Sequence, residues 1–266
     1  MTPGSILLFV HPPFYRADGK IFFDAQAQNG LRLWAANFEV VRLMAPLDDM
    51  TLDQVPSDAK PLQPFLEAHP SVEPIMLPRR GIKAFVTQER APGRKIIAEK
   101  IKASQYLVFG FSGYIGDWGT EAARIATQMG RPYAVFKDGV AHRVARITQS
   151  KEKRSTLRRL RHRFDNWLMK TRDQRTVRGS TLALLHGQDT LEYYGALASN
   201  PRLVHNIHIS KADRISEEAL ASRLSARDEN LLQIAYAGRV EEIKGPDHWT
   251  CLLYTSDAAD DPTLVV

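Results

Sequence analysis

Cysteine and long apolar runs are almost missing from this chain of 266 residues. The single cysteine, Cys251, excludes an internal disulfide and a cysteine-based metal site. No segment reaches the 18 or so uncharged apolar residues that a membrane span needs. The first apolar run, SILLFV, follows no basic residues and is too short for a signal peptide. These absences predict a globular cytoplasmic protein.

Several common catalytic and metal-binding motifs are absent as well. The sequence contains no H-E-x-x-H, G-x-S-x-G, G-x-x-x-x-G-K-[ST] or D-x-D. Glycines recur every third residue from Gly110 to Gly119, a spacing that does not match the G-x-G-x-x-G dinucleotide fingerprint. His205 and His208 are three apart in a predicted strand, so they face opposite sides of it. We therefore expect no metal and no cofactor.

What the first 140 residues do contain is a regular alternation of short apolar runs and helical patterns. Such an alternation predicts βαβ units and a parallel sheet, hence an α/β fold. The predicted strands are SILLFV, EVVRLMAP, SVEPIML, QYLVFGF and RPYAVFKD. Ligands of such sheets bind in the loops beyond the carboxyl ends of the strands.

Three loops therefore hold the candidate site residues. HPPFYRADGK contains His11, which borders the expected cleft, and Gly19, which either approaches a ligand or forms a plain Asp-Gly turn. SGYIGDWG is a glycine-rich loop that precedes a helix, with Thr120 as a candidate N-cap. KDGVAHR places Asp138 at a strand end, followed by His142. Asp138 and His142 are candidates for proton transfer or ligand contact at this loop, with a cap or turn as the alternative for Asp138.

The segment AYAGRVEEIKGPDHW reads as a strand, a glycine turn and the start of a helix. Gly238 and Gly245 bound the turn, and Arg239 and Lys244 bracket it with positive charge. Backbone amides at a helix start combined with two cations form an anion site. From charge and spacing alone, a solvated surface turn remains an alternative.

This segment resembles the G-R-[LV]-x-x-x-K-G stretch that opens the second domain of family 4 glycosyltransferases, which have the GT-B fold. The resemblance implies that Arg239 and Lys244, with Gly238 and Gly245, bind the diphosphate of a nucleotide-sugar donor. It implies a Rossmann-like acceptor-side domain over residues 1–210 and the first βα unit of a donor-binding domain over residues 211–250. The direct match covers about fifteen residues. The Glu-x7-Glu motif of the family has no counterpart here.

The implied reaction is transfer of a sugar to an acceptor hydroxyl, with retention of configuration and without a metal. The implied partners are a nucleotide-sugar and a saccharide or lipid-linked acceptor. Two other functions stay open at this point: a non-catalytic module that binds a membrane or polyanion, and a GT-B-like sugar-nucleotide epimerase. The sugar, the nucleotide and the acceptor are not predicted.

Positive charge is concentrated in residues 151–178, which hold eleven Lys or Arg and three acidic residues. An apolar stripe of Leu157, Leu160, Phe164, Trp167 and Leu168 recurs at helical spacing within this segment. Three interpretations are open: a helix docked on the core through the stripe, a helix lying on anionic membrane, and a nucleic-acid contact. Nucleic acid is the least expected, because aromatic residues are not interleaved with loops.

Residues 251–260 resemble a translated sequencing adapter, and the whole tail, 251–266, is interpreted as artefactual, with the origin of residues 262–266 not assigned. The codons TGT CTC TTA TAC ACA TCT GAC GCT GCC GAC encode CLLYTSDAAD, residues 251–260. On this interpretation Cys251 is not a native residue, the parent protein continues past residue 250, and the fragment given by the sequence is inactive.

Overall fold

The computed structural model describes residues 4–79, 90–150, 156–205 and 214–226; within the helix at 141–150, side chains are described only up to residue 146. The chain divides into two compact units, Met1–His208 and Ile209–Val266. All the strands within the described residues, and the site discussed below, lie in the first unit. The segment predicted to open a donor-binding domain lies mostly outside the described residues, so that assignment stays a prediction.

Seven parallel strands form the main sheet, in the spatial order β6-β4-β1-β7-β8-β9-β10. This arrangement confirms the predicted α/β class with a parallel-rich sheet. The five predicted apolar runs all contain strands. The bounds are β1 Ser5–Phe9, β4 Val40–Asp49, β6 Val72–Leu77, β7 Tyr106–Gly110, β8 Ala134–Lys137, β9 Leu182–His186 and β10 Pro201–Val204.

Alternate residues of β1 enter two different cores. Ile6 and Leu8 belong to one buried cluster, and Leu7 and Phe9 belong to the other. A strand at the centre of a parallel sheet is buried on both faces, which explains its unbroken apolar sequence. The helices that cover these faces are α1 Ala25–Asn37, α2 Gln63–Ala68, α3 Arg90–Ala103, α4 Trp118–Gln128, α5 Ala141–Ser150, α6 Thr156–Arg178 and α7 Gln188–Tyr194; α8 Glu217–Ser225 lies in the second unit.

A hairpin occupies the predicted loop after β1. Strands β2 Phe14–Ala17 and β3 Lys20–Asp24 pair antiparallel, and β5 Ala59–Pro61 extends them. Phe22 lies in β3, and helix α1 begins after Asp24, whose carboxylate caps it. Asp18 and Gly19 have positive φ and form the two-residue turn of this hairpin, as an Asp-Gly pair favours.

Helix α4 begins closer to the sheet than predicted. Its N-cap is Asp117 rather than Thr120, and the carboxylate of Asp117 accepts hydrogen bonds from the amides of Gly119 and Thr120. Gly119 packs against the end of β7, where an added Cβ would overlap the carbonyl oxygen of Gly110 and press on the ring of Phe9. Only glycine permits this approach of helix to strand.

Glu121, in the first turn of α4, is buried among three arginines. Its carboxylate contacts Arg90 at 3.8 Å, Arg94 at 3.2 Å and Arg124 at 2.6 Å. Burial acts to raise the pKa of Glu121, but the hydrogen bonds and positive charges of these arginines outweigh it, and the pKa lies below its ordinary value. The cluster joins α3 to α4 through charge as well as through apolar packing.

Gly119→Ala should destabilise the protein by about 2 kcal/mol, because its methyl group forces the helix away from β7. Gly30→Ala is the matched control: it lies within α1, no atom lies within 4 Å of its added Cβ, and it should stabilise by about 0.5 kcal/mol. Urea denaturation measures both. Equal effects of the two variants would contradict the close approach of α4 to the sheet.

Glu121→Gln should lower the free energy of unfolding by about 2 kcal/mol at pH 7, a value reduced from that of a fully buried pair because the arginines are partly exposed. A folded-state pKa below the ordinary value of 4.5 means that the charged carboxylate stabilises the fold above that pH. The stabilisation is lost as the pH falls through the folded pKa. Denaturation curves of both proteins should therefore converge in acid, and a difference that stays constant with pH would contradict the role of charge.

Candidate functional site

The strand order reverses at β1, which has β4 on one side and β7 on the other. In an open α/β sheet, the connections from such a pair diverge to opposite faces and leave a crevice beyond the carboxyl ends of the two strands. The residues at this position are the loop after β1, with His11, and the glycine loop after β7, residues 111–117. We therefore take this crevice as the candidate site.

His11 and Asp117 meet in this crevice. The Nε2 atom of His11 lies 4.0 Å from Oδ1 of Asp117, and the two side chains are 39% and 5% exposed. A buried carboxylate beside a partly exposed imidazole stabilises the imidazolium that forms when histidine accepts a proton. The pair therefore has the chemistry of a general base with an orienting carboxylate.

Backbone geometry fixes the carboxylate of Asp117. Besides capping α4, its Oδ2 atom accepts a hydrogen bond from the amide of Ser112 at 3.0 Å and another from the hydroxyl of Thr120. Gly113 and Gly116 have positive φ in the same loop, as the tight turns require. The glycine loop and the start of α4 thus hold one negative charge in a set position facing His11.

Two cavities open beside His11. The first, of about 470 Å³, lies between the glycine loop and α6, and its walls include Tyr114, His162 and Asn166. The second, of about 570 Å³, lies between the glycine loop and the start of α5. His11, Ser112 and Tyr114 line both. A ligand in either cavity would therefore reach the same imidazole.

A buried ion pair supports the glycine loop from below. The ammonium of Lys137, at the end of β8, lies 3.1 Å from Oδ2 of Asp173 on α6, and neither side chain is more than 4% exposed. Lys137 also donates to the carbonyl of Phe111 at 2.9 Å, and the hydroxyl of Tyr194 donates to Asp173 at 2.9 Å. A Cβ on Gly113 would strike Asp173. The loop therefore rests directly on the pair.

Burial is the dominant electrostatic effect on this pair. It raises the pKa of Asp173, and the ammonium of Lys137 and the hydroxyl of Tyr194 oppose that rise without cancelling it. Burial and the nearby Asp173 raise the pKa of Tyr194. The phenol therefore stays protonated and remains a hydrogen-bond donor to the carboxylate at every physiological pH.

The residues predicted in KDGVAHR occupy different environments. Asp138 is exposed and lines the second cavity, directly after the buried Lys137. His142 lines neither cavity and packs its ring 5.1 Å from that of Tyr193. Burial, together with the positive charges of Lys170, Arg143 and Lys137, lowers the pKa of His142, so it is neutral at pH 7. The structure brings Asp138, but not His142, to the crevice with His11.

Other predicted residues are elsewhere. Gly19 is in the hairpin turn and lines neither cavity. Gly238, Arg239, Lys244 and Gly245 lie outside the described residues, as does His208. Within the described part of the chain, no three potential ligands cluster to hold a metal, and no helix is long and apolar enough to cross a membrane. The donor and metal predictions stay predictions.

The structure shows which face of the basic helix α6 packs on the core, and it is not the face that was predicted. Helix α6 does dock on the core, but through Met169, Asp173, Thr176 and Val177. Four of the five stripe residues, Leu157, Leu160, Phe164 and Trp167, are between 56% and 79% exposed, and Leu168 is partly buried, so docking through the predicted apolar stripe is wrong. The reason is the ion pair with Lys137, which turns the Asp173 side of the helix towards the sheet.

Sequence reasoning missed Asp117, Lys137 and Asp173. In SGYIGDWG, an aspartate directly before a helical pattern is a signal for a helix N-cap. The prediction chose Thr120 instead, three residues after the actual N-cap, Asp117. A lysine closing the apolar strand AVFK signalled a buried charge in need of a partner. Nothing local marked Asp173 as that partner, because it lies among many charges on a basic helix.

The sequence matches no protein-family model and no curated protein. Among solved structures, a UDP-glucosyltransferase from Polygonum tinctorium is 12% identical with a TM-score of 0.44, covering 85% of this chain and 56% of that one. A UGT transferase from Siraitia grosvenorii is 14% identical with a TM-score of 0.41, covering 83% and 54%. A protein from Listeria monocytogenes assigned as a UDP-N-acetylglucosamine 2-epimerase is 9% identical with a TM-score of 0.38, covering 74% and 42%. The chain spans about half the length of these structures.

Lys137→Met and Asp173→Asn should each destabilise the protein by about 3 kcal/mol, because each leaves one buried charge without its partner. The double variant should cost at least about 1 kcal/mol less than the sum of the two, since it removes both charges together. Urea denaturation of all four proteins measures the coupling. Additive effects would contradict a direct interaction between the two side chains.

Proposed function

We propose that this chain is the acceptor-side part of a glycosyltransferase that moves a sugar from a nucleotide-diphosphate-sugar to an acceptor hydroxyl. The observation that carries the proposal is the His11–Asp117 pair, held at the carboxyl ends of β1 and β7 and open to a cavity. A hydroxyl is a weak nucleophile at neutral pH, and a positioned histidine is the commonest group that activates one.

In the proposed reaction, an acceptor hydroxyl in the cavity gives its proton to His11. The acceptor oxygen forms a bond to the anomeric carbon of the donor sugar as the bond from that carbon to the diphosphate oxygen breaks. The nucleoside diphosphate leaves with the electron pair. Four hydrogen-bond donors hold the carboxylate of Asp117 in place, where it faces the imidazolium that forms on His11.

The donor side of the proposal depends on the sequence. Arg239 and Lys244 are the proposed contacts of the diphosphate, with Gly238 and Gly245 letting the backbone approach it. Two cations there would stabilise the negative charge that develops on the leaving group, without a metal. Asp138, exposed at the second cavity, is the proposed orienting contact for a further acceptor hydroxyl.

The stereochemical outcome separates two versions of the proposal. The resemblance to family 4 implies retention, for which a dedicated base is not needed. A base beside the acceptor favours direct displacement, which inverts the anomeric carbon. We favour inversion, because His11 and Asp117 are placed as base and orienting carboxylate. Nuclear magnetic resonance of the product's anomeric proton distinguishes the two outcomes.

His11→Ala should lower kcat/KM of the complete gene product by about 100-fold to 10,000-fold in an assay of nucleoside diphosphate release from a panel of nucleotide-sugars and acceptors. Asp117→Asn should also lower kcat, because asparagine can still cap α4 but carries no charge. Thermal denaturation should show that both variants remain folded.

His205→Ala is the control for these variants. His205 is an exposed histidine after β10 and lines neither cavity, so its loss should leave turnover unchanged. Full activity of His11→Ala would refute the general-base role. Acceptor-independent conversion of the nucleotide-sugar would replace the transferase with an epimerase.

A further inference from the structure

The outer face of α6 is an apolar stripe with nothing packed on it among the described residues. Leu157, Leu160, Phe164 and Trp167 are each more than half exposed, and the rings of Phe164 and Trp167 lie 5.8 Å apart. At 3.6 residues per turn, this stripe lies about 180° from the face that Met169 and Asp173 bury. The stripe therefore points directly away from the sheet.

Positive charge borders this stripe on both sides. Arg161 lies on one flank and Arg163 and Lys170 on the other, at the angles that helical geometry gives. All three residues are exposed. Arg161 is 3.8 Å from the carboxylate of Asp165, an exposed pair that leaves its flank positive because Arg158 is also there. Helix α6 as a whole holds eight basic and two acidic residues.

An apolar stripe between two basic flanks matches the chemistry of a membrane interface. Aromatic and leucine side chains enter the boundary between headgroups and acyl chains, while arginines beside them contact anionic headgroups. Phe164 and Trp167 suit that boundary because their rings are large and lie side by side. We infer that α6 docks this protein on the surface of an anionic phospholipid bilayer.

Charge complementarity selects this occupant over two others. A symmetric pairing of two copies through the stripe would bring the arginines of one helix against those of the other, which is repulsive. A single-stranded nucleic acid favours a positively charged groove with a series of aromatic platforms, whereas this stripe is the outer face of one helix and carries two leucines with one pair of aromatic rings. An anionic bilayer satisfies the arginines and the apolar stripe together.

The opposite side of the same helix gives this surface a connection to the candidate site. His162, Asp165, Asn166 and Met169 of α6 line the first cavity beside His11. A helix lying on the bilayer would hold that cavity one helix diameter, about 10 Å, from the headgroups. The docking surface nevertheless stands on its own observations, and its failure would leave the proposed chemistry of His11 untouched.

Sedimentation with vesicles tests the inference on the chain of 266 residues. Binding to vesicles of phosphatidylglycerol and phosphatidylcholine should exceed binding to pure phosphatidylcholine, and salt should weaken it. Arg161→Glu with Arg163→Glu should weaken binding about 100-fold, as should Phe164→Gln with Trp167→Gln. Brominated lipid should quench the fluorescence of the parent chain, and Trp167→Phe should remove that quenching.

Arg32→Glu with Leu33→Gln is the matched control. Both residues are exposed on α1, which packs against the core cluster that contains Ile6 and Leu8. This variant should therefore bind vesicles like the parent chain. Circular dichroism should show that every variant is folded. Equal loss of binding in control and test variants would overturn the inference, as would equal binding to neutral vesicles.

Two further outcomes would replace the bilayer with another occupant. Dimers in sedimentation velocity that Phe164→Gln with Trp167→Gln converts to monomers, without vesicle binding, would assign the stripe to a second copy of the chain. Absence of vesicle binding together with a lower melting temperature of the same variant would assign it to another segment of this chain. Either result would refute the membrane surface.

Discussion

The buried pair of Lys137 and Asp173 is the interaction on which the rest of the site depends. It joins the end of β8 to α6, and through the carbonyl of Phe111 it reaches the loop that follows β7. Burying two charges is unfavourable unless each is paired and hydrogen-bonded, and here Tyr194 adds a hydrogen bond to the carboxylate of Asp173. The pair thereby fixes which side of a strongly basic helix faces the protein. The other side is left to the solvent or to a partner.

At the reversal of strand order, chain topology brings two loops together and local hydrogen bonds place the side chains within them. The parallel sheet brings the loops after β1 and β7 together, and this arrangement follows from chain topology alone. The chemistry requires more, because His11 needs a charge at a set distance. That charge is supplied by Asp117, whose carboxylate is already held by the first turn of α4 and by Ser112. The same side chain thus starts a helix and places its carboxylate beside His11.

The sequence predicted the class of fold and five of the seven described strands of the parallel sheet, β1, β4, β6, β7 and β8, because strands buried on both faces are rich in consecutive apolar residues. It predicted His11 and Asp138 near the cleft, because both directly follow such runs. It missed the β2–β3 hairpin, whose strands are short and mixed in polarity. It left open whether the apolar stripe of α6 docks on the core, because hydrophobic periodicity says which residues share a face but not where that face points. The buried Asp173, paired with Lys137, determines which face of α6 packs on the core.

The distance along the chain between Lys137 and its partners has a consequence for how the protein could be divided. A piece that stopped before Asp173 would still hold the strands that form the crevice, but it would bury an ammonium group with no counter-ion. A piece that stopped before Tyr194 would lack the phenol that donates a hydrogen bond to Asp173. The smallest autonomous module able to present His11 correctly therefore extends through α7, well past the last residue that touches the cavities. The residues that hold the crevice together are close in space but far apart in the sequence.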